Sequence, residues 1–137
     1  MLFRSVTANT DFEVAMAKDY KGGNYDLVTF FDCLHDMGDP VGAAKHVYET
    51  LKTDGTWMIV EPMAKESVEE NLNPVGRVYY NASSMVCVPS SLSQDVGLGL
   101  GAQASESDLR RVIEAGGFTR IRKAAETPFN RVYEARR

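Results

Sequence analysis

Residues 25–36 read YDLVTFFDCLHD, an apolar run that ends abruptly in polar side chains. The part of the run up to Phe31 is nearly continuous, which is typical of a strand that is covered on both faces in a parallel sheet. Asp32, His35 and Asp36 follow directly, so an imidazole lies among carboxylates where this strand ends. Such a group is either part of a functional site or a hydrogen-bonding cap of the strand.

The sequence that follows predicts a strand–helix–strand unit. Asp39 is a typical helix N-cap, and Pro40 fits the first helical turn. A second apolar strand is predicted at 56–60, after the Asp54-Gly55 turn. Two strands joined by one helix and short links are expected to be parallel, with a right-handed crossover. The helix has one apolar face, formed by Ala44, Val47, Tyr48 and Leu51.

Caps and turns predict the remaining elements. Apolar residues at helical spacing also give the helix after Asn73 an apolar face, which indicates either core packing or a lid or dimer surface. The final two strands are joined by a short link, which favours an antiparallel pair. The predicted elements are a strand at 11–17, a helix starting at Asn73-Pro74, a helix capped by Ser105 and Asp108, and strands at 118–124 and 129–135.

Length, composition and charge argue against several classes of protein. The chain has 137 residues, enough for one domain, and its net charge of −4 argues against nucleic acid as a partner. No apolar stretch reaches the length of a membrane span, and the N-terminal sequence MLFRSVTAN does not resemble a signal peptide. Cys33 and Cys87 have no metal-type neighbours at short spacing, so we expect a reduced, cytoplasmic protein without a metal site.

In this order, the segments resemble the C-terminal half of the catalytic domain of a class I S-adenosylmethionine-dependent methyltransferase. The resemblance runs from about Asp11 to the end and is carried by YDLVTFFDCLHDMGDP, LKTDG, GTWMIVEP and the late AGGF. It implies an α/β fold with a partial Rossmann-like sheet, mostly parallel, with an antiparallel C-terminal strand pair and helices on the faces. Residues 1–137 then form a single partial domain with a helical insertion at about 66–100.

Members of this family begin with a strand, a glycine-rich loop and a helix that hold the cofactor. Only ten residues precede Asp11, so the resemblance implies that this cofactor-binding half is missing. Residues 95–101, DVGLGLG, contain suitable glycines, but the preceding PSSLSQ is not a buried strand. The stretch is therefore either a flexible connector or, in a permuted sheet, a cofactor loop.

The resemblance assigns roles to residues at the strand ends. Met16 and Ala17 would lie along the adenine of S-adenosylmethionine, with Met16 where the family often has an aspartate. Phe31, Asp32 and Cys33 would face the methionine part of the cofactor.

His35 would point toward the substrate as a general base, because imidazole titrates near neutral pH, and Asp36 or Asp32 would orient it. Glu61 and Tyr79 would line the acceptor pocket. Alternatively, His35 caps the strand and Glu61 faces water. If the strand ends converge, Met16, Phe31, His35 and Glu61 surround one hollow.

The implied function is S-adenosylmethionine-dependent methyl transfer to a small molecule, by O-methylation. The alternative is a truncated, non-catalytic module that dimerises and binds no cofactor. In either case we expect a homodimer, or a partner chain, to cover the open sheet edge. A dinucleotide-binding oxidoreductase ranks last, because no glycine loop follows a strand.

Overall fold

The computed structural model describes residues 9–137 and contains a four-stranded mixed sheet. Its strands are β1 (Tyr25–Phe31), β2 (Leu51–Pro62), β3 (Arg120–Glu126) and β4 (Asn130–Arg136), in the spatial order β1-β2-β4-β3. β1 is parallel to β2, whereas β4 is antiparallel to both β2 and β3. The α/β class, the parallel first unit and the antiparallel closing pair are therefore confirmed.

Helix α1 (Pro40–Thr50) connects the two parallel strands as predicted. The Asp39 side chain accepts a hydrogen bond of 2.8 Å from the Gly42 N–H, which caps the helix start. β2 begins immediately afterwards, so the predicted Asp54-Gly55 turn lies inside this strand. The register explains this difference: two residues of β1 oppose five of β2 at this point, and the surplus forms an irregular bulge.

The region between β2 and the last helix contains the predicted helical segment. Helix α2 (Pro74–Ala82) is followed by a π-helical turn, Ser83–Cys87, and then by α3 (Val88–Leu92). Helix α4 (Glu106–Ala115) begins with the predicted capping box, in which Ser105 and Asp108 each accept from the other's backbone N–H.

Side chains from one face of the sheet form the core with α1 and α4. On this face Phe30 lies edge-on to Trp57, with ring centroids 5.1 Å apart, and Ile59 continues the buried row of β2. Burying each such side chain stabilises the fold by about 1.5–3 kcal/mol. The helices contribute the other large buried core residues, among them Val47, Leu109 and Ile113.

The opposite face of the sheet is largely uncovered. Leu27 and Phe31 of β1 are exposed there, and Met58 and Val60 of β2 are only half-buried. The expected covering of β1 on both faces is therefore wrong for this chain. Among residues 9–137, α1 and α4 pack together on the opposite, core-forming face.

The strand predicted at 11–17 is wrong. Residues 10–16 form no regular secondary structure, and Phe12 and Val14 are fully exposed. A strand needs a neighbour for its backbone hydrogen bonds, and in the described residues β1 pairs with β2 alone. The parallel part of the sheet consequently consists of one pairing, β1 with β2.

The apolar face of α2 and the following turn is exposed. Val78, Met85 and Val86 are all exposed, with Met85 at 79%. The inward face carries small residues instead, Gly76, Ser83, Cys87 and Ser91. Core packing of this apolar stripe is therefore wrong, while a lid or dimer surface stays a prediction. Among residues 9–137, no helix combines the length and apolar character needed to cross a membrane.

Candidate functional site

The carboxyl ends of β1 and β2 bring the candidate site residues together. Phe31, the last residue of β1, pairs with Val60, and the Asp32 N–H donates to the Val60 carbonyl at 2.8 Å. Asp32 has a φ of 44°, a left-handed conformation that turns the chain away from the strand. A 3-10 turn, Leu34–Asp36, follows and places His35 beside Glu61, the residue after Val60.

Glu61 is the closest partner of His35. Its Oε2 lies 2.5 Å from His35 Nδ1, and its Oε1 accepts from the Leu34 N–H at 2.9 Å. Glu61 is 1% exposed and His35 is 4% exposed, so the pair is removed from water. The interpretation of Glu61 as a water-facing acid is wrong. This carboxylate, rather than Asp32 or Asp36, accepts from His35 Nδ1 and orients the ring.

Two opposing effects act on the protonation of His35. Burial lowers the pKa of the imidazole, because a desolvated imidazolium is disfavoured. The hydrogen bond and the charge of Glu61 raise the pKa, and the charges of Asp36 and Asp32 raise it further. Together they outweigh the effect of burial, so the pKa of His35 is raised overall. With Nδ1 held by Glu61, the Nε2 atom is the one left for further interactions.

Asp36 lies on the Nε2 side of the imidazole. Its Oδ1 is 3.3 Å from His35 Nε2 and has no hydrogen-bond partner among residues 9–137, although that oxygen is itself buried. The Asp36 side chain as a whole is 40% exposed. Asp36 therefore connects the buried imidazole with the protein surface.

Helix α3 and the segment after it hold the turn that carries His35. The Gly101 N–H donates to the His35 carbonyl at 3.1 Å, and the Ser91 hydroxyl donates to the Met37 carbonyl at 2.7 Å. Gly101 has a φ of 77°, and a Cβ there would lie 2.5 Å from the Ser83 hydroxyl oxygen. The glycines at 97–101 follow α3 rather than a strand, so they lack the strand–loop–helix context of a cofactor loop.

A second polar group lies at the rim where β4 begins. Asn130 donates from Nδ2 to Asp32 Oδ1 at 3.1 Å, and the Tyr79 hydroxyl donates to the Phe129 carbonyl at 2.9 Å. Burial, followed by the charge of Asp32, raises the pKa of Tyr79. Phe31 is exposed beside this group. The substrate-binding role of Tyr79 stays a prediction, as does that of Glu61.

Met16 and Ala17 lie in a different place from the histidine. They line a small cavity of about 50 Å³ whose wall does not include Phe31, His35 or Glu61. The expectation of one hollow around all four predicted residues is therefore wrong. The remaining residues of the cavity wall are Lys18, Met37, Asp39, Ala43, Gln94 and Asp95.

These residues do not fit S-adenosylmethionine by themselves. A cavity of about 50 Å³ holds a few water molecules rather than a nucleoside. Phe31 and Asp32 are exposed at the open end of β1, and Cys33 is half-buried. The described chain thus offers separate surfaces that a cofactor could contact, without an enclosed binding site.

Sequence reasoning missed the proximity of Cys87 to Asp36 and to His35. One ligand-type atom from each of these side chains lies within 4.8 Å of the others. The π-helical turn brings this buried cysteine to the strand-end turn from about 50 residues further along the chain. No spacing in the sequence could have shown this proximity.

Comparisons with solved structures identify the fold. The chain matches TnmH with a TM-score of 0.70, 16% identity and 93% of its own length, covering 35% of that chain. It matches human N-acetylserotonin methyltransferase in complex with SAM with a TM-score of 0.64 and 16% identity, covering 92% of this chain and 33% of that chain. For the mitomycin 7-O-methyltransferase MmcR, the TM-score is 0.61 and the identity is 18%, and the match covers 90% of this chain and 33% of that chain.

The chain therefore shares a Rossmann-like α/β fold with part of these structures, two of which are named as methyltransferases, as the sequence resemblance implied. The chain spans about a third of the length of each of these three structures. No protein-family model matches the chain, and no curated protein matches it in sequence.

Proposed function

We propose that this chain is the substrate-side part of a methyltransferase that transfers a methyl group from S-adenosylmethionine to a small-molecule hydroxyl. The single observation that supports it best is the buried pair of His35 and Glu61 at the joined ends of β1 and β2. The reaction needs a base for the acceptor hydroxyl, and a histidine oriented by a carboxylate is suited to that task. S-adenosylmethionine, when bound, supplies an electrophilic methyl group.

In this proposal the residues of the chain hold and move one proton. Glu61 accepts the Nδ1–H of His35 and so fixes the tautomer in which the Nε2 lone pair is free. The acceptor hydroxyl approaches along Asp36 and gives its proton to Nε2. Glu61 and Asp36 then stabilise the imidazolium that forms. The rim of Asp32, Tyr79 and Asn130 contacts the acceptor, and a cytoplasmic location suits this reaction.

The cofactor surface is part of the same proposal. Phe31, Asp32 and Cys33 lie close to the proposed base in sequence, at and just after the end of β1, where ligands of such sheets bind. Met16 and Ala17 line a cavity that is too small for adenine, so they would contact it only on their exposed side. Most of the contacts that bind the cofactor would come from residues outside the described surfaces.

Titration of S-adenosylhomocysteine into the full chain tests this proposal. Because the described surfaces do not enclose the ligand, the expected result is weak, submillimolar binding, seen as shifts of the Phe31, Asp32 and Cys33 amides in nuclear magnetic resonance spectra. An Asp32→Ala variant should weaken binding, whereas Asp54→Ala, at an exposed position on the opposite end of β2, should not. No binding up to millimolar ligand would contradict the proposal for this chain.

A non-catalytic module that forms a homodimer is the second candidate. The open edge of β1, the uncovered sheet face and the exposed apolar face of α2 favour it, because such surfaces are normally covered. In this candidate a second copy covers these surfaces and no cofactor is bound. Light scattering, which measures the mass, and the S-adenosylhomocysteine titration together distinguish the two candidate functions. A dimer that does not bind S-adenosylhomocysteine supports the second candidate.

A further inference from the structure

His35, Asp36 and Cys87 bring three kinds of metal ligand together. A ring nitrogen, a carboxylate oxygen and a sulfur lie within 4.8 Å of one another. His35 and Cys87 are buried, and the partly exposed Asp36 leaves one side open to solvent. Three protein ligands with one open position are typical of zinc sites that keep a place for water or a small molecule.

Two further observations point to a ligand at this cluster. His35 donates its other ring N–H to Glu61, as metal-bound histidines almost always do to a carboxylate or carbonyl. This bond leaves Nε2 as the coordinating atom and fixes its direction. In addition, Asp36 Oδ1 is buried and has no hydrogen-bond partner in the part of the chain that the structure describes. A buried acceptor without a partner is costly, and a cation at this point would satisfy it.

We propose that His35 Nε2, an Asp36 carboxylate oxygen and Cys87 Sγ bind one divalent transition metal of the zinc type. The nitrogen–oxygen–sulfur donor set excludes magnesium and calcium, which take oxygen ligands, and suits zinc or cobalt. On binding, the Cys87 thiol loses its proton to solvent and its sulfur coordinates as a thiolate. The thiolate and the Asp36 carboxylate together balance the two positive charges of the metal.

The metal would also regulate the proposed reaction, and this consequence alone rests on the proposed function. A metal on Nε2 occupies the lone pair that accepts the proton of the hydroxyl. Zinc therefore inhibits methyl transfer, and a chelator restores it. Metal binding itself requires neither cofactor nor acceptor, so the two proposals can fail independently.

Cobalt(II) titration of the tag-free full chain tests the site. The probe is Co²⁺ itself, because a cobalt–thiolate bond gives a near-ultraviolet charge-transfer band and low coordination number gives strong visible bands. We expect both signals at one equivalent and their loss when Zn²⁺ displaces Co²⁺. Absence of a charge-transfer band at saturating Co²⁺ would overturn the proposal, whatever the outcome of the S-adenosylhomocysteine titration.

Variants identify the ligands. Cys87→Ser should abolish the charge-transfer band, whereas the matched control Cys33→Ser, which changes the only other cysteine, should retain it. Glu61→Gln should weaken Co²⁺ binding by about 10–100-fold, the range for residues that hydrogen-bond to a metal ligand. If Cys87→Ser does not fold, Asp36→Asn at its partly exposed position gives the same test through a loss of affinity. Retention of the band in Cys87→Ser, or unchanged affinity in Asp36→Asn, would overturn the assignment.

Discussion

Side-chain alternation along β2 determines the pairing of Glu61 with His35. Trp57, Ile59 and Glu61 lie on the same face of the strand, two residues apart, and all three are buried. A carboxylate at the end of this buried row needs polar partners, and the turn after β1 supplies the Leu34 N–H and the imidazole. The sequence pattern could have revealed the burial of Glu61, but its partner follows from the parallel register of β1 and β2.

Glu61→Gln tests the energetic importance of this pair. The glutamine amide can satisfy either the Leu34 N–H or the His35 Nδ1–H with its one oxygen, so a charged hydrogen bond is lost. We expect the free energy of unfolding to fall by about 1.5–3 kcal/mol. Urea unfolding followed by the fluorescence of Trp57, the single buried tryptophan, measures this change.

Glu49→Gln is the control for this experiment, because its side chain is 59% exposed on α1. Its effect should stay within about 0.5 kcal/mol. Equal urea midpoints for Glu61→Gln and the unsubstituted chain would show that the short contact does not stabilise the fold.

At the scale of single elements, local signals predicted the helix starts correctly. Asp39, Asn73 and Ser105 each accept from a backbone N–H three residues on. Caps are local interactions, so the sequence contains all that they require. The strand at 11–17 shows the opposite case: its alternation is correct for a strand, but it has no neighbour to pair with among the described residues.

Ser105→Ala should destabilise α4 by about 1 kcal/mol, because the serine oxygen caps the Asp108 N–H at 3.1 Å. The Ser105 hydroxyl also donates to the Asp108 carboxylate, and this bond is the main reason that the pKa of Asp108 is lowered. A lowered pKa stabilises the fold above the unfolded pKa of about 3.9, and this stabilisation is lost as pH falls through the lower folded value.

The difference in unfolding free energy between Ser105→Ala and the unsubstituted chain should therefore be larger at pH 7 than at pH 2. Thermal unfolding at both pH values measures it. Ser84→Ala, at an exposed helical serine, serves as the matched control and should change little at either pH. A difference that does not depend on pH would show that the hydroxyl–carboxylate bond contributes nothing.

At the scale of the whole molecule, the order of the elements was enough to predict the fold. The site could not be predicted in the same way, because it is formed by contacts between residues that are distant in sequence. The strand–helix–strand unit and the closing strand pair follow from hydrophobic periodicity and short links. The separation of Met16 from His35 could not be predicted, because it follows from the absence of a strand at 11–17. Likewise, Cys87 reaches Asp36 only because the π-helical turn packs its small residues against the strand-end turn.

No strand of the described residues pairs with the outer edge of β1, and this leads to a prediction about assembly. Leu27 is 55% exposed on this edge strand, and an apolar edge with unpaired backbone groups favours pairing with another chain. If a second copy covers the edge, Leu27→Lys should convert dimer to monomer, because the charge would be buried at the interface. Light scattering coupled to size-exclusion chromatography measures the mass. Val68→Lys is the matched control, since Val68 is 56% exposed but lies outside the sheet, and it should leave the dimer intact. A monomeric unsubstituted chain, or equal masses for both variants, would show that the β1 edge is not the surface through which copies associate.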